Sequence, residues 1–337
     1  MVQQTENLLS IRSHFSMQDK LNVFFKSERL LKSTDTRNSF KYLFSDEYIV
    51  PVIILKKGLF VYASFLTEPA RYKEGSESLV SFLNDVCEYL KNEKNVQWIS
   101  ETPASALFCE APKGAKAIPF GSHIVNLQED EDVLWSKMHS KHRNVIKKAE
   151  KEGVQIVKGN NDGLLQDYHK IDVETWERSN VKANGVSHLK KLRNAMEDNI
   201  VFYLAYKDGA PQAGAIFYYN KVMCYYMHGA SSNHSFTGSS NLLHWKAMLD
   251  MKNEGVKRYS FVGARINEDE KSKYHGIQRF KERFGGELFV GKRFKVLFNP
   301  LMYHIYIMMV SLKVSIKQRR LVIQRDSIDQ EWHKWKK

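Results

Sequence analysis

One charge in the stretch "YHGIQRFKERFGGEL" (residues 274–288) stands where a core side chain belongs. At 100° per residue, Phe280, Phe284 and Ile277 fall within about 60° of one another, and Lys281 lies about 40° beyond Ile277. Arg279, Glu282 and Arg283 project to the opposite half, as a solvated face requires. Lys281 is therefore either a core-edge lysine that runs its ammonium out to water or one held in a cleft, where it should meet a carboxylate or solvent in a pocket. In "KVMCYYMHGAS" alternation puts Cys224, Tyr226 and His228 on one face. His228 titrates near neutrality and could take a proton from a reacting group, or it is structural. Thr175, Trp176 and Arg178 close "YHKIDVETWERSNV", where Arg178 could meet a phosphate or carboxylate or stand solvated. Arg143, Lys147 and Lys148 lie in "KHRNVIKKAEKEG", which is either an anion patch or the wet face of a helix. No histidines and carboxylates pair at metal-ligand spacing, so no metal is expected.

The elements that must position these residues are constrained first by the totals. A chain of 337 residues suits two domains, and 43% apolar with 26% charged residues is globular composition. A formal charge of +13 and a pI near 9.4 favour an anionic partner: nucleic acid, nucleotide phosphates or an anionic membrane surface. Cys87, Cys109 and Cys224 are widely separated, which points to a reducing compartment without a disulfide framework. The start "MVQQTENLLSIRSHF" lacks the pattern of a secretory signal, so a cytoplasmic location is expected. The apolar stretch from Leu301 to Ile316 carries His304 and Lys313 and is too short to span a bilayer. Followed by Lys317, Arg319, Arg320 and Arg325, residues 300–325 suit either peripheral contact with the inner membrane face or packing on the domain with a solvated basic end.

From residue 130 the periodicities predict, in order, one helix over "EDEDVLWSKMHSKHRNVIKKAEKEG" with Trp135, Met138, Val145 and Ala149 as its stripe, the strand "VQIV", and two helices. Three strands follow, "IVFYLAYK", "QAGAIFYYN" and "KVMCYYMHGAS", then a helix from about Ser239 to Asn253, the strand "KRYSFVG", the helix of Lys281, and a hairpin "ELFVGKRFKVLF" turning at Gly291-Lys292. The fold class is α/β with a mixed sheet. Upstream, two strands, the helix "ESLVSFLNDVCEYLKNE" and two further strands look like an abridged version of the same unit.

This β-α-α-β-β-β-α-β-α-β-β order resembles the GNAT acyltransferase fold, in which the fourth and fifth strands splay to admit an acyl donor. The segments "LWSKMHSKHRNVIKKAEKEGV", "MHGASS", "NLLHWKAMLDMKNEGVKRYSFVG" and "GIQRFKERFGG" resemble, in order and spacing, the Fem (FemABX-like) peptidyltransferases, which are built from two GNAT-like domains. The resemblance implies an abridged GNAT-like domain over 1–128, a complete one over 129–298, and a C-terminal amphipathic basic helix and tail over 299–337.

It also implies the family's work in bacterial cell-wall biogenesis: moving an amino acid from aminoacyl-tRNA to an amine of a peptidoglycan precursor, with no further cofactor. Lys281 would face the oxyanion formed when the amine attacks an ester carbonyl. His228 would lie in the cleft and orient the acceptor or take its proton. Phe280, Asn241 and Gly285 would meet the donor, with a core phenylalanine and a helix C-cap as plainer readings. Tyr226, Thr175, Trp176 and Arg178 would face the acceptor, and Arg143, Lys147 and Lys148 the tRNA.

Two departures qualify this. The loop "SFTGSSNLL" has Ser235 and Ser240 where acetyl-CoA enzymes of the fold carry Gln or Arg and a small glycine, which disfavours acyl-CoA. After the first helix, "VKANGVSHLKKL" lacks the arginine–tyrosine pair of enzymes acting on soluble muramyl-pentapeptides, so another envelope precursor is open as acceptor. The rival functions are an N-acyltransferase using acyl-CoA on an envelope amino sugar and a non-catalytic scaffold for precursor or membrane.

Overall fold

The computed structural model describes residues 2–5, 39–179, 182–266, 273–318 and 326–331. Its first elements are β1 (Gln3–Thr5), β2 (Ser39–Phe44), β3 (Tyr48–Lys57), β4 (Phe60–Phe65), β5 (Ala70–Arg71), α1 (Leu79–Lys94), β6 (Trp98–Ile99) and β7 (Lys116–Asn126). Then come α2 (Glu131–Lys137), α3 (Ser140–Lys151), β8 (Gln155–Gly159), α4 (Asp162–Glu177), α5 (Val186–Met196), β9 (Ile200–Lys207), β10 (Ala210–Tyr219) and β11 (Met223–Ser231). The remainder is α6 (Ser239–Asn253), β12 (Arg258–Ser260), β13 (Ala264–Arg265), α7 (Lys273–Glu282), β14 (Glu287–Leu297), α8 (Pro300–Gln318) and α9 (Ser327–Glu331).

These elements form two units, one of described residues 2–5, 39–121 and 290–331, the other of 122–289 apart from the undescribed positions. The sequence expectation divides the chain at 128 and 298 instead, because it follows whole elements, whereas β7 and β14 each change unit part-way along.

In the first unit β3 is apolar almost throughout and is buried from Tyr48 to Ile54, as a strand covered on both faces must be. It pairs antiparallel with β2 and β4, and β4 runs parallel to β6. Ser78 starts α1 by accepting a hydrogen bond from the Ser81 N–H at 3.1 Å, and Asn95 ends it in the left-handed region at φ 52°. Phe82, Leu83, Val86 and Leu90 then bury one face of α1 in the core with Val50, Val52 and Phe294.

In the second unit the order is β7, β12, β11, β10, β9, β8, antiparallel except for the parallel β11–β12 pair. One face carries α3 and α6 around Met138, Ile146, Trp245 and Met248. The other carries α4 and α5 around Leu165, Tyr168, Leu192 and Ile216.

Two elements depart from the periodicity. The single helix expected before β8 is broken at Met138–His139: Met138 is extended (φ −66°, ψ 136°), and His139 caps α3 by accepting from the Lys141 N–H at 3.1 Å. The guanidinium of Arg143 holds the break, donating to the carbonyls of Ser136 (3.0 Å) and Met138. The buried stripe is Leu134, Met138, His142, Ile146 and Ala149, not the one through Trp135 and Val145. The expected hairpin at Gly291-Lys292 is one continuous strand, β14. Gly291 serves a close approach, not a turn: a Cβ there would lie 2.4 Å from the Phe108 carbonyl oxygen, which accepts the Lys292 N–H at 2.7 Å.

Candidate functional site

The sheet of the second unit opens at one place. The β11–β12 ladder covers only Met223–Tyr225 against Arg258–Ser260, while β11 runs on to Ser231. Past Ser260 the chain turns through Val262 (φ 37°) and Gly263 (φ 57°), and a positive φ is strained for a β-branched residue. The Lys281 ammonium holds this turn, donating to the carbonyl oxygens of Val262 and of Gly263, the latter at 2.9 Å. Gln278 Nε2 donates to the Gly263 carbonyl as well, at 3.3 Å. Lys281 thus meets backbone carbonyls rather than the carboxylate or pocket solvent expected of it. It is 8% exposed, and burial pulls its pKa down to about 8. An ammonium has three donors, and these two bonds use two. His123, buried on β7, lies close enough to feel that charge, and burial lowers its own pKa. Ile277, expected in the same arc, is 46% exposed instead.

The strand facing the opening is bulged. β10 pairs Ile216 with His228 and Phe217 with Tyr226, so Met227 is an extra residue on β11. Alternation fails there. Tyr226 stays on the face of Cys224 and Phe217, with its ring 5.8 Å from Phe217 and 4.4 Å from His244. His228, expected beside them, turns to the other face, with Nε2 3.4 Å from the Tyr218 hydroxyl. Its ring is open to solvent on one side, while the protein around the rest and nearby His188 hold its pKa down at about 4. It is a neutral imidazole at neutral pH.

Helix α4 lies over that face. Asn161 caps it by accepting from the Leu164 N–H at 2.9 Å, and Leu164, Leu165, Tyr168, Ile171 and Asp172 are buried. Burial raises the pKa of the Asp172 carboxyl, against the hydrogen bond it takes from Trp176. The Tyr168 hydroxyl is buried without a hydrogen-bond partner among the described residues, within electrostatic reach of Asp172, Tyr226 and Tyr218. Of the acceptor candidates, Trp176 is 40% exposed. Thr175 and Arg178 are occupied. Thr175 Oγ1 accepts from the Ser231 N–H at 2.9 Å. Arg178 donates to Ser231 O and Oγ (both 2.9 Å) and to Asn233 Oδ1 (2.6 Å), fastening α4 to the end of β11.

The donor candidates scatter. Phe280 packs in the core beside His142 (5.3 Å), Phe284 (5.2 Å) and His244 (5.6 Å). Gly285 has φ 78° and a close neighbour, since a Cβ would come within 2.8 Å of the Lys137 carbonyl; its presence follows from backbone geometry. Asn241 is half-buried in the first turn of α6, next to Ser239, whose hydroxyl is buried without a partner among the described residues. In the basic run Arg143 is engaged by the helix break, while Lys147 and Lys148 are exposed, over the rings of Trp135 (5.8 Å) and Phe236 (5.9 Å). Lys207 also stands over Phe236, at 4.9 Å, so two lysines flank the loop before α6. Among the described residues no cluster could hold a metal ion.

Residues 136–281 match the family described as "Acetyltransferase (GNAT) domain". FemX superposes over 90% of this chain and 99% of its own, with a TM-score of 0.64 at 14% identity. The protein is a GNAT-fold acyltransferase, built like FemX. The C-terminal domain of a candidate lysylphosphatidylglycerol synthetase from Agrobacterium fabrum shares the fold over 82% of this chain and 93% of its own (TM-score 0.53, 12% identity). L-PGS from Bacillus licheniformis does so over 77% and 84% (0.51, 13%). No curated protein matches the sequence.

In this GNAT-fold acyltransferase the opening has Lys281 at the β12 turn and the Asp172–Tyr168–Tyr218–His228 group on the α4 face of the sheet. Sequence reasoning missed Asp172 and Tyr168, although the signal that singles out Lys281 is there. On α4, Leu164, Leu165, Tyr168, Ile171 and Asp172 share an arc of about 120°, so Asp172 is again a charge inside an apolar face. His142 and His244 were missed for a different reason. They are core histidines, and His244 Nδ1 lies 2.6 Å from the Tyr259 hydroxyl deep in an aromatic cluster.

Proposed function

We propose that this acyltransferase is an aminoacyltransferase of cell-envelope synthesis, moving an amino acid from aminoacyl-tRNA to an amine of a peptidoglycan precursor or another envelope precursor. The observation that carries the reading is Asp172, a buried carboxyl of raised pKa on α4, beside a Tyr168 hydroxyl that has no hydrogen-bond partner among the described residues. An amine acceptor arrives as an ammonium and must lose a proton before it attacks, and a carboxylate of raised pKa takes that proton more readily. The amine nitrogen then adds to the ester carbonyl, and as the adduct collapses the C–O bond breaks, the second proton of the nitrogen passing to the departing ribose oxygen while Asp172 releases the first to solvent. The third N–H of Lys281 is available to the oxyanion formed between those steps. Lys148 and Lys207 beside the α6 loop suit a donor rich in phosphate.

The matched family's description favours a second reading, acyl-CoA as donor, which would use the same lysines and the start of α6. Calorimetric titration separates the two. Binding of a charged minihelix RNA without measurable binding of acetyl-CoA supports the first; the reverse replaces it with the second. Aspartate 172 is tested by Asp172→Asn, expected to lower turnover about 100-fold or more while leaving donor affinity unchanged. Unaltered turnover would remove Asp172 from the mechanism.

A further inference from the structure

We propose that α8 and the β3–β4 turn form a docking surface for an anionic lipid bilayer. The outer face of α8 is apolar and uncovered: Leu301 is 68% exposed, Met308 65%, Met309 54%, Leu312 61% and Ile316 69%. These five lie within an arc of about 100° along the helix. The opposite face is committed to the core of the first unit, where Tyr303 packs 5.6 Å from Trp98 and Tyr306 lies 5.2 Å from Phe60. The Phe60 contact brings the β3–β4 turn beside α8, and Leu59 at its tip is 81% exposed. Of the thirteen large apolar side chains exposed among the described residues, six belong to this surface, which is more than scattered exposure accounts for.

Charge selects the occupant. Along α8, from Pro300 to Gln318, the sequence carries Lys313 and Lys317 and no Asp or Glu, and the turn adds exposed Lys56 and Lys57. A second copy docking by two-fold symmetry would set these cations against one another. An anionic bilayer neutralises them, each cation near the surface strengthening binding about fivefold. No helix among the described residues is long and apolar enough to cross a membrane. With one face buried against Trp98 and the other bare, α8 suits lying in the plane of the interface. The inference is independent of the acceptor proposed above, since it rests on the first unit alone.

The test is flotation of the full chain with vesicles of phosphatidylcholine alone or mixed with phosphatidylglycerol. Binding is expected to the mixed vesicles, at least about tenfold weaker to phosphatidylcholine alone, and weakened by high salt. M308E/L312E should lose at least about tenfold in binding with an unchanged thermal unfolding curve, because both positions are exposed. Leu59→Glu, on a separate element, should lose binding too. Absence of binding to the mixed vesicles would overturn the proposal, as would binding that survives M308E/L312E. A dimer in sedimentation that the same variant converts to monomer would also overturn it, assigning the face to a second copy.

Discussion

Tyr226 and His228 stand two residues apart on β11 and face opposite sides of the sheet, because Met227 is bulged out between them. The bulge divides the site, leaving Tyr226 with the aromatic cluster of His244 and giving His228 to the α4 face with Tyr218. Deleting Met227 preserves the pairings of Ile216 with His228 and of Phe217 with Tyr226, removing the local bend and one half-buried side chain from the edge of the α4-face core. The variant is therefore expected to fold with its sheet register intact, by far-ultraviolet circular dichroism and amide exchange. Its turnover should fall about 100-fold, the scale set by displacing reacting groups by roughly 1 Å. Retained turnover would mean that the bulge does not position the reacting groups.

Lys281→Met separates a charge from a stem. Lowering the lysine pKa from 10.5 to about 8 corresponds to about 3 kcal/mol spent on burying the ammonium. Its loss leaves the Val262 carbonyl without this donor, at a cost of about 1–3 kcal/mol. The two offset, so stability at neutral pH should change by no more than about 1–2 kcal/mol, while turnover falls about 100-fold if the third N–H meets the oxyanion. Between pH 8 and 10.5 the unfolded chain keeps the proton that the folded one has released. The wild type should therefore gain stability as pH rises through that window, and the variant should not. Denaturation curves at pH 7.5 and 10 measure this.

The order of elements in the second unit is legible in the sequence because each depends on local periodicity: the α4 and α6 stripes and the β9–β11 runs are where the pattern puts them. What periodicity misses is set by single contacts. The bulge at Met227, the helix break at Met138–His139, where the His139 N–H donates to the Arg283 carbonyl, and the role of Gly291 depend on which strand or carbonyl arrives from elsewhere in the chain. Charge in an apolar arc is a usable signal for a buried ionisable group, and it singles out Lys281. Applied to α4 it would have found Asp172 as well. Arg178 and Arg143 are less readable, since a guanidinium that binds a ligand and one that ties two segments together have the same sequence environment.

Part of the acid sensitivity should come from two core histidines, beside the share that His228 and His123 contribute. Burial and neighbouring positive charge hold His142 at about 4 and His244 at about 3. Both folded values are below the unfolded 6.5, so the stability contributed by the neutral forms is present above pH 6.5 and is lost as pH falls toward them. By pH 5 the two together should cost about 4 kcal/mol relative to pH 7.5. His142 Nδ1 has no partner among the described residues, so His142→Phe, packing between Phe280 and Phe284, should remove about half of that slope. Urea midpoints across this range read it out, and an unchanged slope in the variant would refute the assignment.

The final prediction concerns a buried cation in the first unit. Lys295 on β14 is 1% exposed and donates to Tyr303 Oη at 2.9 Å and to Asp326 Oδ2 at 2.6 Å, with Asp329 Oδ2 also at 2.6 Å. The Tyr303 hydroxyl donates to Asp326 at 2.7 Å, closing a network that fixes α9 and the residue before it against β14 and α8. Burial alone would push the Asp326 pKa up, yet Lys295 and the bonds from the Asp329 N–H and Tyr303 hold it below the usual carboxylate value. Lys295→Met keeps the stem and strands two carboxylates without this cation, which should cost about 3–5 kcal/mol in urea denaturation near neutral pH. Adding Asp326→Asn should recover part of the loss by removing one of those charges. The Asp326 contribution is present above its unfolded pKa of 3.8 and is lost as pH falls through the folded value, so the deficit of Lys295→Met should shrink in acid. Amide exchange localises the effect: protection in Ser327–Glu331 should collapse while that in β3 persists. A variant as stable as the wild type would show that Met repacks the site and that the network specifies where α9 docks rather than how tightly.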